Sequence, residues 1–86
     1  MSLPDLLLEQ LDVAHAVEME PYTVAWQNKR FFVKVQIHSS VGLMGEHRLE
    51  FGEASVLIRV LREHRFVTVK VDETGLRYER LTVNQV

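Results

Sequence analysis

The sequence predicts an α+β domain, a two-layer sandwich in which two helices cover one face of a four- or five-stranded, mostly antiparallel sheet. Three observations lead to this fold class. Two segments carry apolar residues at helical spacing, two regions alternate apolar and polar residues on either side of a polar turn, and 86 residues suffice for one hydrophobic core but not for two. We therefore expect residues 1–86 to form a single domain with the element order α-β-β-(β)-α-β-β.

The first helix is predicted at about residues 3–13. Pro4 suits a first helical turn, where its missing N–H costs no hydrogen bond. The apolar residues of one face recur every three or four positions, at Leu3, Leu7, Leu11 and Ala14. Residues 13–20 fit the period of a helix and that of a strand, and we expect Pro21 to end either element.

The first hairpin is predicted from two alternating segments, residues 22–26 and 31–38, which the polar loop 27–30 joins. The predicted cross-strand pairs are Trp26 with Phe31, Val24 with Val33 and Tyr22 with Val35. The even-numbered residues of the second segment then lie on the opposite face of the sheet.

The middle of the chain holds an apolar loop, a short third strand and the second helix. Residues 39–46 place Gly42 and Gly45 around three apolar side chains, and such a loop either folds back as a lid or meets a partner. Residues 47–51 fit a short strand that Gly52 ends. Residues 53–64 predict a helix, whose apolar stripe consists of Ala54, Leu57, Ile58 and Leu61.

The last third of the chain predicts a second hairpin, with strands at 66–71 and 76–83 around the turn 72–75. The first of these strands alternates Val67, Val69 and Val71 with Phe66, Thr68 and Lys70. We expect the three valines to face the helices and the other three residues to lie on the open face. The apolar positions change face within the returning strand, which predicts a β-bulge near Glu79 and Arg80.

The amino-acid composition limits the classes of protein to which this chain can belong. The chain is 47% hydrophobic and 26% charged, which is typical of globular domains, and its unbroken apolar runs are too short to cross a bilayer. It has no cysteine, and no basic residue precedes its first apolar stretch, so we expect neither disulfides nor a secretory signal, and a cytoplasmic location. A core this small favours completion across a homodimer interface.

The search for chemistry yields no catalytic signature. The chain lacks the glycine-rich phosphate loops and the paired metal-ligand motifs of known enzyme classes, and its acids fall at helix starts, loops and polar strand faces. The histidines are not spaced to place two ligands on one element: His15, His38, His47 and His64. We therefore expect no catalytic residue, no cofactor and no metal site; a metal-assisted enzyme would need at least two of these histidines.

The open sheet face is the first candidate for function. We expect a partner-binding surface composed of Phe32, Lys34, Gln36, His38, Phe66 and Lys70, together with Leu43 and Met44 of the apolar loop. Such a mixed surface suits a small non-catalytic binding or regulatory module that works through protein–protein contacts, as a homo-oligomer. Alternatively, Leu43 and Met44 are buried in the chain's own core.

A single-stranded nucleic-acid binder is the alternative function, because aromatic rings interleaved with cations on a sheet can stack bases and contact phosphates. Its candidate residues are Lys29, Arg30, Phe32, Lys34, Arg59, Arg62 and Arg65. Against it, the chain has no sequence motif of the common RNA-binding sheets, and its pI is about 6.0.

Overall fold

The computed structural model describes residues 3–24 and 30–81. These residues form α1 (Asp5–Leu11), β1 (Ala16–Val24), β2 (Arg30–Ser39), β3 (Gly42–Glu50), α2 (Phe51–Glu63), β4 (Phe66–Asp72) and β5 (Gly75–Arg80). The predicted α+β class and the element order are confirmed, and the third strand is present and longer than expected.

The five strands form one antiparallel sheet in the order β3-β2-β1-β5-β4. β2 and β3 lie on one side of β1, and the second hairpin joins through β5 on the other side. β1 is therefore the central strand, and β3 and β4 are the two edges.

The hydrophobic core lies on one face of this sheet, which we call the covered face. Val17 of β1 lies opposite Ile37 and Tyr78, and all three are buried. From the helices, the fully buried side chains are Leu7, Leu11, Leu57 and Leu61. Both helices thus pack on the covered face and leave the open face uncovered, which is the predicted two-layer arrangement.

The helix α2 begins two residues earlier than the sequence pattern indicates. Glu50 is its N-cap in a capping box: the backbone N–H of Glu50 donates to Oε1 of Glu53 at 3.1 Å, and the Glu50 side chain accepts from the backbone of Glu53. Gly52 therefore lies inside the first turn instead of ending a strand. The helix start follows β3 without a loop.

Pro21 does not end an element, contrary to expectation, because β1 continues to Val24. The pairing of β1 with β5 stops at Met19 and Leu76, so that beyond this point β1 has a neighbouring strand only on the β2 side. A proline nitrogen that points toward such a free edge costs no ladder hydrogen bond.

The register of the first hairpin also differs from the prediction: Tyr22 pairs with Phe32 and Val24 with Arg30. The predicted Trp26 pair lies outside the described residues. The core end of the hairpin, where Met19 lies opposite Val35, sets the register, because a shift there would remove buried side chains from the core. The composition of the polar loop, on which the prediction relied, has less influence on the register.

The edge strand β4 departs most from expectation. Its register shifts between Thr68 and Lys70, so the bulge lies in β4 and not near Glu79 and Arg80 of β5. Phe66 is buried in the core, whereas Val67, Val69 and Val71 are exposed. Val67 lies opposite Glu79, whereas beyond the bulge Val71 lies opposite Leu76 of the covered face, so the valines do not share one face, and their alternation reflects the strand propensity of an exposed edge.

The guanidinium of Arg80 connects the two helices to the end of β5. It donates to the carbonyl oxygens of Leu11, of Ala14 at 2.9 Å and of His64 at 3.3 Å. Its carbon also lies 4.6 Å from the centre of the Phe66 ring. One cation therefore satisfies carbonyl groups at the C-terminal ends of both helices, where the helix dipoles favour positive charge.

The side chains of His47 and Gln10 connect α1 to β3. Nε2 of His47 donates to Oε1 of Gln10 at 2.7 Å, on the covered face of the edge strand. The Gln10 amide fits closely over Gly45, where a methyl group would overlap it. Burial lowers the pKa of His47 below its ordinary value of 6.5.

We expect Arg80→Met to lower the free energy of unfolding by about 3 kcal/mol, because three carbonyl oxygens lose a charged donor. Urea denaturation at neutral pH measures this change. The matched control is Arg77→Met on the open face, whose ion pairs are partly exposed and are expected to contribute less than about 1 kcal/mol. Equal losses in the two variants would contradict the role assigned to Arg80.

Stability is expected to fall as the pH drops through and below about 6.5. The folded state holds His47 with a lowered pKa, so the unfolded chain binds the proton more readily, and the stability present above the unfolded pKa is lost in acid. Urea midpoints across this range should show a shallower acid loss for His47→Gln than for the wild type. His15→Gln, which replaces an exposed histidine, serves as the control; identical slopes for wild type and His47→Gln would refute the assignment.

Candidate binding surfaces

The open face carries Lys34, Gln36 and His38 of β2, as predicted, and the strand register adds acids from the central strand. Glu20 lies opposite Lys34, and Glu18 lies opposite Gln36. Lys70 of β4 reaches the same face beside Arg77. A shallow polar hollow of about 200 Å³ lies between these side chains.

Glu18 is the centre of a charge network in this hollow. Its carboxylate accepts from Nη1 of Arg77 at 3.1 Å and lies 2.9 Å from Nε2 of His38. Burial alone would raise the pKa of Glu18, but the hydrogen bonds from Arg77 and His38 outweigh it, and the pKa is lowered. Arg77 is bound on its other side by Glu79 at 3.1 Å.

The other described cations of the open face, Lys34, Lys70 and Arg48, also have partners. Lys34 lies 3.6 Å from Glu20, and Lys70 lies 3.5 Å from Asp72. The guanidinium of Arg48 lies 4.7 Å from the centre of the Phe32 ring. A phosphate backbone would have to displace an internal partner from each of these cations, so the described part of this face offers no unpaired positive charge of the kind that drives nucleic-acid binding.

The two aromatic residues expected on this face are not available as a stacking surface. Phe32 does lie on the open face, but it is only 6% exposed. Phe66 is in the core on the covered face, so its predicted position is wrong. Phe32 is covered because the guanidinium of Arg48 stacks on its ring, and Phe66 lies on the other face from Lys70 because of the bulge in β4. Neither feature is apparent in the pattern of the sequence.

The other predicted site residues are dispersed. Residues 42–46 belong to β3, and only a tight turn remains, in which the Ser39 hydroxyl donates to the Gly42 carbonyl at 3.1 Å. Leu43 is 57% exposed, whereas Met44 packs partly against the core. The basic residues Arg59, Arg62 and Arg65 are exposed along and after α2. Lys29 and the side chain of Arg30 lie outside the described part of the chain.

An apolar cleft of about 430 Å³ opens on the covered face, between the first half of α2 and the turn that joins β4 to β5. Its floor is formed by Met19, Pro21 and Val33 of the sheet. Its walls are formed by Phe51, Ala54, Ser55 and Ile58 on the helix side and by Asp72, Gly75 and Leu76 on the turn side.

The turn side of the cleft has a fixed geometry. The backbone N–H and the hydroxyl of Thr74 donate to Oδ1 of Asp72 at 2.8 and 2.5 Å, which lowers the pKa of Asp72. Gly75 has φ +145°, and a side chain there would collide with the carbonyl oxygen of Met19. The turn is therefore held against the central strand and leaves a gap to the helix.

Sequence reasoning did not find this cleft. Phe51 was assigned to the end of the third strand, whereas it is the first residue of α2 and is 52% exposed at the mouth of the cleft. The signal that could have found it is the Glu50 and Glu53 pair at capping-box spacing, which marks the true start of the helix.

Comparison with models of known protein families, with curated proteins and with solved structures finds no match to this chain. Neither described helix is long and apolar enough to cross a membrane. Within residues 3–24 and 30–81, no three histidine, aspartate or glutamate side chains converge as a metal site would require.

Replacing Phe32 by Ala is expected to lower the free energy of unfolding by about 3 kcal/mol, as for other buried aromatic residues. The measurement is a urea or thermal denaturation curve. Lys34→Ala, two residues further along the same face, is the control and should change stability by less than about 1 kcal/mol. A Phe32→Ala protein as stable as the wild type would show that the ring is a surface group after all.

Proposed function

We propose that this protein is a small non-catalytic binding or regulatory module that acts through protein–protein contacts as a homo-oligomer, with the apolar cleft beside α2 as its contact surface. The observation that carries this proposal is the cleft itself, which leaves apolar side chains accessible in a domain whose open face is polar and internally paired. Accessible apolar clusters of this kind mark interaction sites.

The extent of the apolar surface favours a protein partner over a small ligand. The cleft volume of about 430 Å³ falls within the range of small-molecule pockets. However, Phe51 at its mouth is half-exposed, and Val71, which pairs with the cleft residue Leu76, is 68% exposed outside it. A ligand enclosed in the cleft would leave both side chains in water, whereas a protein surface can cover them.

The polar groups of the cleft support a binding role. The Ser55 hydroxyl donates to the Phe51 carbonyl at 3.1 Å, so it serves its own helix. Asp72 accepts from Thr74 and pairs with Lys70. Among the described residues, the partners of both groups thus lie on their own helix or hairpin, whereas activation of a nucleophile requires a base aimed at it.

The size of the chain supports self-association. A domain of this length buries a smaller fraction of its surface than a larger one, and covering apolar surface in an oligomer adds stability. A chain without cysteine suits the reducing cytoplasm, where we place this module.

We expect Phe51→Glu to weaken self-association at least about 30-fold, because a carboxylate would be buried in an apolar contact. Light scattering or sedimentation over a dilution series measures the dissociation constant. Glutamate at the first position of α2 suits the helix dipole, so the fold should be retained, and circular dichroism checks this.

The matched control is Leu43→Glu, which changes a residue of similar exposure at the other end of β3. It should associate like the wild type. A wild-type protein that remains monomeric at high concentration contradicts the proposed function, and a protein that dissociates only through Leu43→Glu moves the contact to the turn after β2.

A further inference from the structure

The edge strand β4 borders the cleft, and part of its backbone faces outward. Within the described residues, β4 has a neighbouring strand only on its β5 side. At the far end of β5, the backbone N–H of Leu81 donates to the Arg65 carbonyl at 2.8 Å, toward β4. The N–H of Arg80 donates to the His15 carbonyl at 2.9 Å, toward β1. The backbone groups along β5 therefore point alternately to β4 and to β1.

This alternation determines which residues of β4 face the edge of the sheet. Counted back from Arg80, Leu76 has its backbone groups turned to β1. Because Val71 lies opposite Leu76, the N–H and the carbonyl of Val71 point away from β5, toward the edge. The bulge between Thr68 and Lys70 interrupts the strand before this point. The regular edge is therefore the segment 70–72, with Val71 at its centre.

The side chains of this segment suit a strand partner. Val71 is 68% exposed and lies beside Leu76 of the cleft. Its neighbours Lys70 and Asp72 lie on the same side of the strand as each other, with Nζ of Lys70 3.5 Å from Oδ2 of Asp72. An edge strand with an exposed apolar side chain is a template for pairing with another strand.

We propose that two copies of this chain pair antiparallel along β4, about a two-fold axis at Val71, so that the two five-stranded sheets become continuous. This inference rests on the proposed function and adds a backbone contact at the outer border of the cleft. The N–H and the carbonyl of Val71 bond those of the partner's Val71, and the two valine side chains meet. A strand that pairs with its own copy in this way is self-complementary, as an isologous interface requires.

The charges of the segment favour a second copy and select one register. About an axis at Val71, Lys70 lies directly opposite the partner's Asp72, and Asp72 lies opposite the partner's Lys70. Each internal ion pair is kept and gains a second partner, which stabilises a strand pair. An axis shifted by one residue would place two Lys70 or two Asp72 side chains opposite each other, and like charges in this position are destabilising.

Cysteine cross-linking tests the register, because the chain has no cysteine of its own. Paired residues that exchange both hydrogen bonds lie about 5.5 Å apart at Cα, which a disulfide can span. With diamide as oxidant, Val71→Cys is expected to form a covalent dimer on a non-reducing gel. The control Val67→Cys changes an exposed residue of the same strand, whose two copies would lie about 25 Å apart. It should cross-link at least about ten-fold more slowly.

Removal of one backbone donor tests the hydrogen bonds. Val71→Pro deletes the N–H that points to the edge and leaves the pairing of β4 with β5, so the fold should be retained. Self-association should weaken at least about ten-fold, because both symmetric hydrogen bonds are lost. The matched control is Val71→Ile, which keeps the donor and a β-branched apolar side chain and should associate like the wild type. Sedimentation over a dilution series measures the dissociation constants, and urea midpoints show that each variant is folded.

The outcomes separate this inference from the proposed function. Dimers that Phe51→Glu disrupts, but that neither cross-link through Val71→Cys nor weaken with Val71→Pro, overturn the edge pairing and leave the proposed function standing. Faster cross-linking of Val67→Cys than of Val71→Cys overturns the register, and equal weakening by Val71→Pro and Val71→Ile overturns the backbone contact. If Val71→Pro does not fold, the cross-linking rates decide. A wild-type protein that is monomeric at every concentration, without cross-linking of Val71→Cys, overturns both proposals.

Discussion

The contact on which the rest of the structure depends is the guanidinium of Arg80 among the carbonyl groups at the ends of both helices. Helix C-terminal carbonyls that are withdrawn from water need donors, and a single planar cation with several N–H groups supplies them at Leu11, Ala14 and His64. The backbone N–H of Arg80 also donates to the His15 carbonyl at 2.9 Å. The turns after α1 and α2 are therefore held at one end of β5, and this end of the domain is closed.

The structure of the opposite end of the domain depends on the same contact at the closed end. The chain leaves the closed end along β4 and returns along β5, so the turn between them comes to lie beside the start of α2. This turn is held to the central strand by the close approach of Gly75 to Met19 and not to the helix. Because α2 begins directly from β3, helix and turn diverge over Met19 and Val33. The cleft is the space between the turn, which Gly75 holds against β1, and α2, which starts directly after β3.

The sequence predicts the two layers of this fold better than the register of its strands and the position of its bulge. Helical and alternating periods identify the elements correctly, because burial on one face imposes them on residues such as Leu57 and Val35. The hairpin register was wrong, because it depends on which residues meet in the core and not on the composition of the loop. The part of β4 before its bulge was assigned to the wrong face, because the register shift between Thr68 and Lys70 leaves no signal in the alternation of the sequence.

The candidate sites were harder to predict than the fold, for an electrostatic reason. A list of residues shows cations and aromatic rings on the open face, but it does not show that Arg48 covers Phe32 or that Glu18 lies between Arg77 and His38. Exposed ion pairs contribute little to stability, yet each makes its cation less available to a ligand. Whether a cation is available to a ligand therefore depends on which side chains the strand register places beside it. This dependence directs attention away from the described part of the open face, where the cations are paired, and toward the cleft, which is apolar at its floor of Met19, Pro21 and Val33 and at its mouth, where Phe51 is exposed.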